Sequence, residues 1–414
     1  MNNNYLKYLG FLLILLISCK SQEAIPTENI LPQLHSDVSF LADDKLEGRR
    51  VGTEGEIKAA NYIAERYKAI GLIPKGTNGY FQEFSTRKKS NPHETKAKET
   101  DPLITGRNVV GFIDHGAPTS IVIGAHFDHL GWGGSGSLNP SERAIHNGAD
   151  DNASGVAALL ALAKKLKKGP KNNNYIFIAF SGEEEGLWGS NHFAKNPTIN
   201  LEKVNYMLNM DMVGRLNAER QLAVYGVGTS PLWRENVMAI SEPQFKFSFT
   251  ESGIGPSDHT SFYLKDIPVL HFFTGQHKDY HKPSDDVEFV NFDGIQDVVR
   301  LINRLILRLD DDNKIAFTKT KEEKSNTPRF KVTLGVIPDY LFDGKGMRID
   351  GVTEGRPAQI ADIQDGDIVV KMGDVDVIDM MSYMQALSKF EAGQTVIVVV
   401  KRGDNLLEKS VTFD

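Results

Sequence analysis

Four apolar runs, SIVIGA (120–125), YIFIAF (175–180), VNYMLNM (204–210) and PVLHFF (268–273), are mostly continuous rather than alternating. Runs of that kind form strands buried on both faces, as in a parallel or mixed sheet covered by helices on each side. GVAALLALAKKL (155–166) and GIQDVVRLINRLILRL (294–309) instead repeat apolar residues at helical spacing. Upstream, the Gly/Arg turn LEGRRVGT (46–53) precedes a helix whose apolar face is Ile57, Ala60, Ile63, Ala64, Tyr67 and Ile70. The alternation predicts an α/β fold: a mostly parallel, mixed sheet sandwiched by helices. KKSNPHETKAKETDP (88–102) is polar and broken by prolines, which predicts a surface loop.

Residues 310–330 are charged and weakly patterned, and they read as a linker. Beyond them, 331–414 has strands and turns of its own, among them VTLGVI, DGDIVVKMGD and TVIVVVKR. A chain of 414 residues suits one large domain and one small one. The formal charge of −7 offers no basic face for phosphates, which excludes a nucleic-acid partner. The apolar stretch Leu9 to Ile17 is too short to span a bilayer comfortably and reads as part of a secretion signal over 1–19. Leu16-Ile17-Ser18-Cys19 resembles the lipobox of bacterial lipoproteins. That implies lipidation of Cys19, the single cysteine, a tether over 20–30, and a bacterial envelope protein held at a membrane, the outer one by expectation.

The chemistry collects where the buried strands end. SIVIGA runs into His126-Phe127-Asp128, YIFIAF into Ser181-Gly182-Glu183-Glu184-Glu185, and VNYMLNM into Asp211. The segment after PVLHFFTG reaches Tyr280 and His281. In open α/β sheets, ligands bind outside the carboxyl ends of the strands, where loops bring distant groups together. Imidazoles and carboxylates gathered there are the donors of zinc or another divalent ion. Asp150 and Asp151, side by side in NGADDNASG, repel each other unless cations intervene. One carboxylate bridging two ions about 3.5–4 Å apart removes that cost. The small residues Ala153, Ser154 and Gly155 let the backbone turn closely there and start a helix. Paired ions lower the pKa of water towards about 7, and a nearby carboxylate can then take its proton.

The series GAHFDHLG, NGADDNASG, SGEEEGLWGS, NMDMVG and YHKPSDD resembles, in order, the motifs of the co-catalytic di-zinc aminopeptidases. That family extends to glutamate carboxypeptidase relatives and glutaminyl cyclases. The likeness runs from about Val38 to Leu309 and implies a zinc-exopeptidase fold over 31–309. It implies two Zn2+ ions and peptide substrates. Asp151 would be the bridge, His126 and Asp211 would complete one zinc, and Glu184 and His281 the other. Glu183 would be the general base, Asp128 would orient the His126 ring, and Tyr280 would donate to the oxyanion. Asp150 is left either supporting the site or exposed. Asp258 and His259, in GPSDHTSF, are left either structural or in contact with substrate.

Residues 331–414 resemble a small, β-rich PDZ domain of the bacterial envelope-protease type, most clearly in RPAQIADIQDGDIV. Leu334, Gly335 and Val336 fall where its carboxylate-binding loop would lie, and peptides add to such domains as an extra strand. The groove is either open to a peptide or protein carboxyl terminus or vestigial. The whole reads as a zinc-dependent exopeptidase, an aminopeptidase before its rivals. Those rivals are a glutaminyl cyclase using one zinc, a carboxypeptidase in which Arg215 meets a substrate carboxylate, and a non-catalytic adaptor working through the PDZ-like domain.

Overall fold

The computed structural model describes residues 29–88, 97–134, 136–139, 143–310, 313–320, 332–339, 342, 344–353 and 355–413. The signal and Cys19, most of the expected tether and much of the loop over 88–102 lie outside them. Helices α1 (Leu31–Leu41) and α2 (Glu54–Ile70) precede three strands, β1 (Ile73–Pro74), β2 (Phe81–Arg87) and β3 (Leu103–Ile113). Then follow β4 (Thr119–His126), α3 (Gly155–Leu166), β5 (Asn173–Phe180), α4 (Trp188–Lys195) and β6 (Val204–Met210). The rest of the large sheet comprises β7 (Gln221–Tyr225), β8 (Lys246–Thr250) and β9 (Val269–Phe273), with α5 (Trp233–Met238), α6 (His259–Tyr263) and α7 (Phe292–Arg308).

The four apolar runs became β4, β5, β6 and β9, and every residue of β5, β6 and β9 is buried. These four pair in parallel in the order β5-β4-β6-β9. The flanks are antiparallel: β3 against β5, and β7 against β9. The sheet is therefore mixed, with its parallel character concentrated in the centre. Side chains of one face (Ile121, Ile123, Tyr206, Leu208) join the core beneath α1, α3 and α7. The other face (Val122, Ile176, Ile178, Met207) packs beneath α4 and α6.

Strand order fixes the site. The chain leaves β4, forms β5 on one side, and returns to form β6 on the other. A crevice opens at such a reversal, just past the carboxyl ends of the strands. His126 is the last residue of β4, and Asp211 is the first after β6. Arg49, from the Gly/Arg turn, braces the same end. It is fully buried and donates to the carbonyls of Phe127, Leu41, Asn147 and Gly148, tying the loop before Asp150 to the end of β4. Burial lowers its pKa, though only to about 10, so the guanidinium stays charged at neutral pH. Glu56, also fully buried, accepts from Arg107 N and Ser181 Oγ, and burial pushes its carboxyl up to about 7.

The expected linker is not loose at its start. Ile315 is buried, Phe317 packs on Tyr263, and Thr318 N donates to Thr229 O at 2.8 Å. Those contacts fasten 313–320 to the larger domain. The second domain comprises β10 (Val336–Pro338), β11 (Met347–Val352), α8 (Pro357–Ile360), β12 (Ile368–Met372), β13 (Val375–Asp376), α9 (Met380–Leu387), β14 (Thr395–Arg402) and β15 (Asn405–Thr412). Its sheet runs β10-β11-β12-β14-β15, so β10 ends the order. Leu334 sits wholly in its core, Gly335 takes φ +75° with its N–H on Thr333 Oγ1, and Val336 is half-buried. Among the described residues no helix is long and apolar enough to cross a membrane.

Candidate metal centre

Asp150 and Asp151 lie in the buried segment Ala149–Ser154 that leads into α3. Its side chains alternate in direction. Asp150 Oδ1 accepts from Gly214 N (2.6 Å), Asn152 Oδ1 from Met212 N (3.0 Å), and Ser154 Oγ from Val213 N (3.0 Å). The stretch just past Asp211 is thus knitted to the segment holding Asp151. A Cβ at position 214 would lie 2.7 Å from Asp150 Oδ1, so the approach requires glycine. Asp150 Oδ2 lies 3.2 Å from His277 Nε2. Asp150 is completely buried and supports the site; it is not exposed.

Asp151 turns the other way. Its Oδ1 lies 3.3 Å from His126 Nε2 and its Oδ2 3.2 Å from His281 Nε2. His126 Nε2 is also 3.1 Å from Asp211 Oδ1, and His281 Nε2 is 3.2 Å from Glu184 Oε2. The five residues expected to bind metal therefore converge, with Asp151 between two imidazole–carboxylate pairs. A tetrahedral zinc with bonds of about 2.0 Å holds its donors about 3.3 Å apart. All four separations, 3.1 to 3.3 Å, match that spacing. The donor set fits zinc.

Electrostatics give the same answer. Burial opposes charge on His126, yet Asp211, Glu183 and Asp151 raise it well above an ordinary histidine. His281 is raised likewise by Glu184 and Asp151, again against burial. Asp151 would be pushed up by burial, but His126 and His281 hold it well below the usual carboxylate range. Without a cation, the acids can keep their charge only by protonating the imidazoles. A divalent ion supplies the missing positive charge at the same points. Glu183 differs: burial first, then Asp211, Asp258 and Glu184, push it well above its ordinary value, with His126 opposing.

Surrounding groups fix the donors. Asp285 accepts from the N–H groups of Asp150 and Asp151 at 3.0–3.1 Å. His281 Nδ1 donates to Gly136 O at 2.8 Å, which turns Nε2 toward Asp151. His281 also holds φ +53°, a costly conformation for a residue with a side chain, of the kind kept at functional sites. The His126 ring is oriented differently from the expectation. Its Nδ1 meets the main-chain carbonyl of Asp128 at 3.2 Å, while the Asp128 carboxylate is 3.8 Å away and accepts from Glu183 N at 3.1 Å. Asp128 thus steadies the Glu183 turn with its side chain and the imidazole with its backbone. The Tyr280 ring stacks on His281 at 3.9 Å and packs beside Met212, Ala223 and Phe273.

Asp258 and His259 are fully buried, and the His259 ring stacks on His271 at 4.6 Å. They pack the floor behind the site and present no surface to a substrate. Arg215 is occupied as well: it pairs with Asp279, donates to Phe289 O at 2.8 Å and lies over the Phe289 ring. The carboxypeptidase reading would require Arg215 to leave these partners for a substrate carboxylate. Sequence reasoning missed His129, Asp285 and His277. His129 was visible as a third donor in GAHFDHLG. Asp285 is the first acid of the pair ending YHKPSDD, but its task depends on backbone groups that only the fold brings near it.

Residues 108–306 match peptidase family M28, and residues 315–413 match the PDZ domain. Over 274 residues the chain is 27% identical to aminopeptidase YwaD of Bacillus subtilis (strain 168), covering 62% of this chain and 55% of that one. The chain spans about half the length of the curated relatives it matches. An aminopeptidase from Aneurinibacillus sp. strain AM-1 shares the fold with a TM-score of 0.54 at 16% identity, over 70% of this chain and 95% of that one. A Porphyromonas gingivalis glutaminyl cyclase has the same TM-score at 17% identity, over 67% of this chain and 97% of that one.

Proposed function

Because the chain carries a peptidase family M28 region followed by a PDZ domain, we propose that it is a zinc-dependent aminopeptidase working with two ions. Asp151 placed between two imidazole–carboxylate pairs carries this reading. His126 and Asp211 would hold one ion, Glu184 and His281 the other, and Asp151 both. When bound, zinc supplies a Lewis acid for the scissile carbonyl and acidifies water towards a pKa of about 7. Glu183, next to Glu184 and half-buried, would accept the proton of the attacking water, with the cations favouring its charged form, and return it to the leaving amine. Tyr280, whose ring stacks on His281, would support the developing oxyanion with its phenol.

Attack at the amino end is favoured over attack at the carboxyl end by Arg215, whose guanidinium is committed to Asp279 and Phe289. Digestion of a peptide set blocked at one end or the other tests this. Amidated peptides with free amino ends should lose residues stepwise, and acetylated ones should survive. The reverse pattern would mean a carboxypeptidase, and loss of only ammonia from amino-terminal glutamine a cyclase. The PDZ domain is proposed to hold a peptide carboxyl terminus along β10, which ends its sheet. Fluorescence anisotropy with free and amidated peptides reads this directly; equal binding of the two would remove it.

A further inference from the structure

His129 is fully buried and has no part in the chemistry described so far. Its Nδ1 lies 2.7 Å from Glu184 Oε1 and 3.9 Å from Asp151 Oδ2. It stands edge-on to His281, with ring centroids 5.7 Å apart. Both imidazoles therefore approach the same two carboxylates. His129 is either a further donor to a metal or a group that acts through Glu184.

Distance separates the two. The contacts of His126 and His281 with their carboxylates span 3.1 to 3.3 Å, the spacing of donors around one tetrahedral ion. The His129–Glu184 contact, at 2.7 Å, is shorter than any of these and is the length of a charge-assisted hydrogen bond; His129, Asp151 and Glu184 stand close enough to share an ion, but Asp151, at 3.9 Å, lies beyond the spacing of the other donors. A carboxylate can only accept, so Nδ1 donates. The bond occupies Oε1, leaving Oε2, the oxygen facing His281, for the cation. The ring cannot easily back away. Gly148, at φ +57°, lies against it so closely that a Cβ there would fall 2.6 Å from two ring carbons.

We propose that His129 is a positioning residue that holds Glu184 to a single coordinating oxygen and pre-forms the Glu184–His281 metal position. The inference rests on the two-ion reading above. Partners of this kind typically change metal affinity by about 10–100-fold when removed.

The test is stepwise Co2+ and Zn2+ titration of the full chain against a chelator, with the Co2+ visible spectrum recorded. For His129→Phe, one of the two dissociation constants should rise about 10–100-fold and the spectrum of that ion should change, while the other moves little. His129→Asn, whose amide can donate from nearly the same place, should recover most of the loss. Unaltered constants and spectrum in His129→Phe would overturn the proposal. So would full loss of one ion in both variants, which would make His129 a ligand. Should His129→Phe fail to fold by circular dichroism, His129→Asn decides alone: near-native constants support the proposal, and loss of an ion overturns it. Wild-type protein binding fewer than two ions would instead defeat the two-ion reading itself.

Discussion

Asp151→Ala is expected to cost the protein both ions and nearly all peptidase activity. Asp151 is the one group placed against both imidazoles. Its removal leaves each position two protein donors, His126 with Asp211 and Glu184 with His281. Two doubly charged ions about 3.5–4 Å apart repel by on the order of 20 kcal/mol even at an effective dielectric of about 20. A carboxylate between them offsets much of that, and no other side chain among the described residues occupies its place. Zinc content by elemental analysis should fall from two equivalents to less than one, and turnover should fall by at least about 10⁴-fold. The backbone N–H of residue 151 keeps its bond to Asp285, so the circular dichroism of the variant should stay near native. Two equivalents of zinc in Asp151→Ala would remove the bridge.

Glu183→Gln separates chemistry from binding. The substitution keeps shape and removes the proton-accepting oxygen. Glu183 stands beside the donors, and its backbone N–H is fixed on Asp128, which the amide leaves intact. Zinc content should remain two, KM should change little, and kcat should fall by about 10²–10⁴-fold, the usual contribution of a general base. Read together, the two variants distinguish a lost base from a lost metal. Near-native kcat in Glu183→Gln would exclude Glu183 from proton transfer.

The central sheet was legible because β4, β5, β6 and β9 are buried on both faces and so appear as unbroken apolar runs. His126, Glu184 and Asp211 were legible because each stands at or just past the end of one of those strands, and Asp151 because it forms an acidic pair ahead of the small-residue start of α3. Less visible were β7 and β8, short and in part half-buried, whose QLAVY and KFSFT carry weak patterns. The antiparallel flanks were hidden for the same reason: pairing direction is set by tertiary contacts, not by the local run. Arg49 looked like part of a turn, yet it serves as a buried brace for four carbonyls, three of them distant in sequence. Arg215 gave the opposite lesson. An arginine shortly after Asp211 in sequence already has partners in space, because Asp279 and Phe289 reach it from another loop. The adjacent aspartates show why pattern alone could not finish the site. The family resemblance had already pointed to Asp151, but Asp150 stayed open; alternation along a buried segment sends Asp150 to Gly214 and His277 and sends Asp151 to the donors.

Crystals of the zinc-loaded protein measured on either side of the zinc absorption edge test the account most directly. Two anomalous peaks are expected, one between His126 and Asp211 and one between Glu184 and His281, with the Asp151 carboxylate spanning them. A single peak, or peaks away from Asp151, would contradict it.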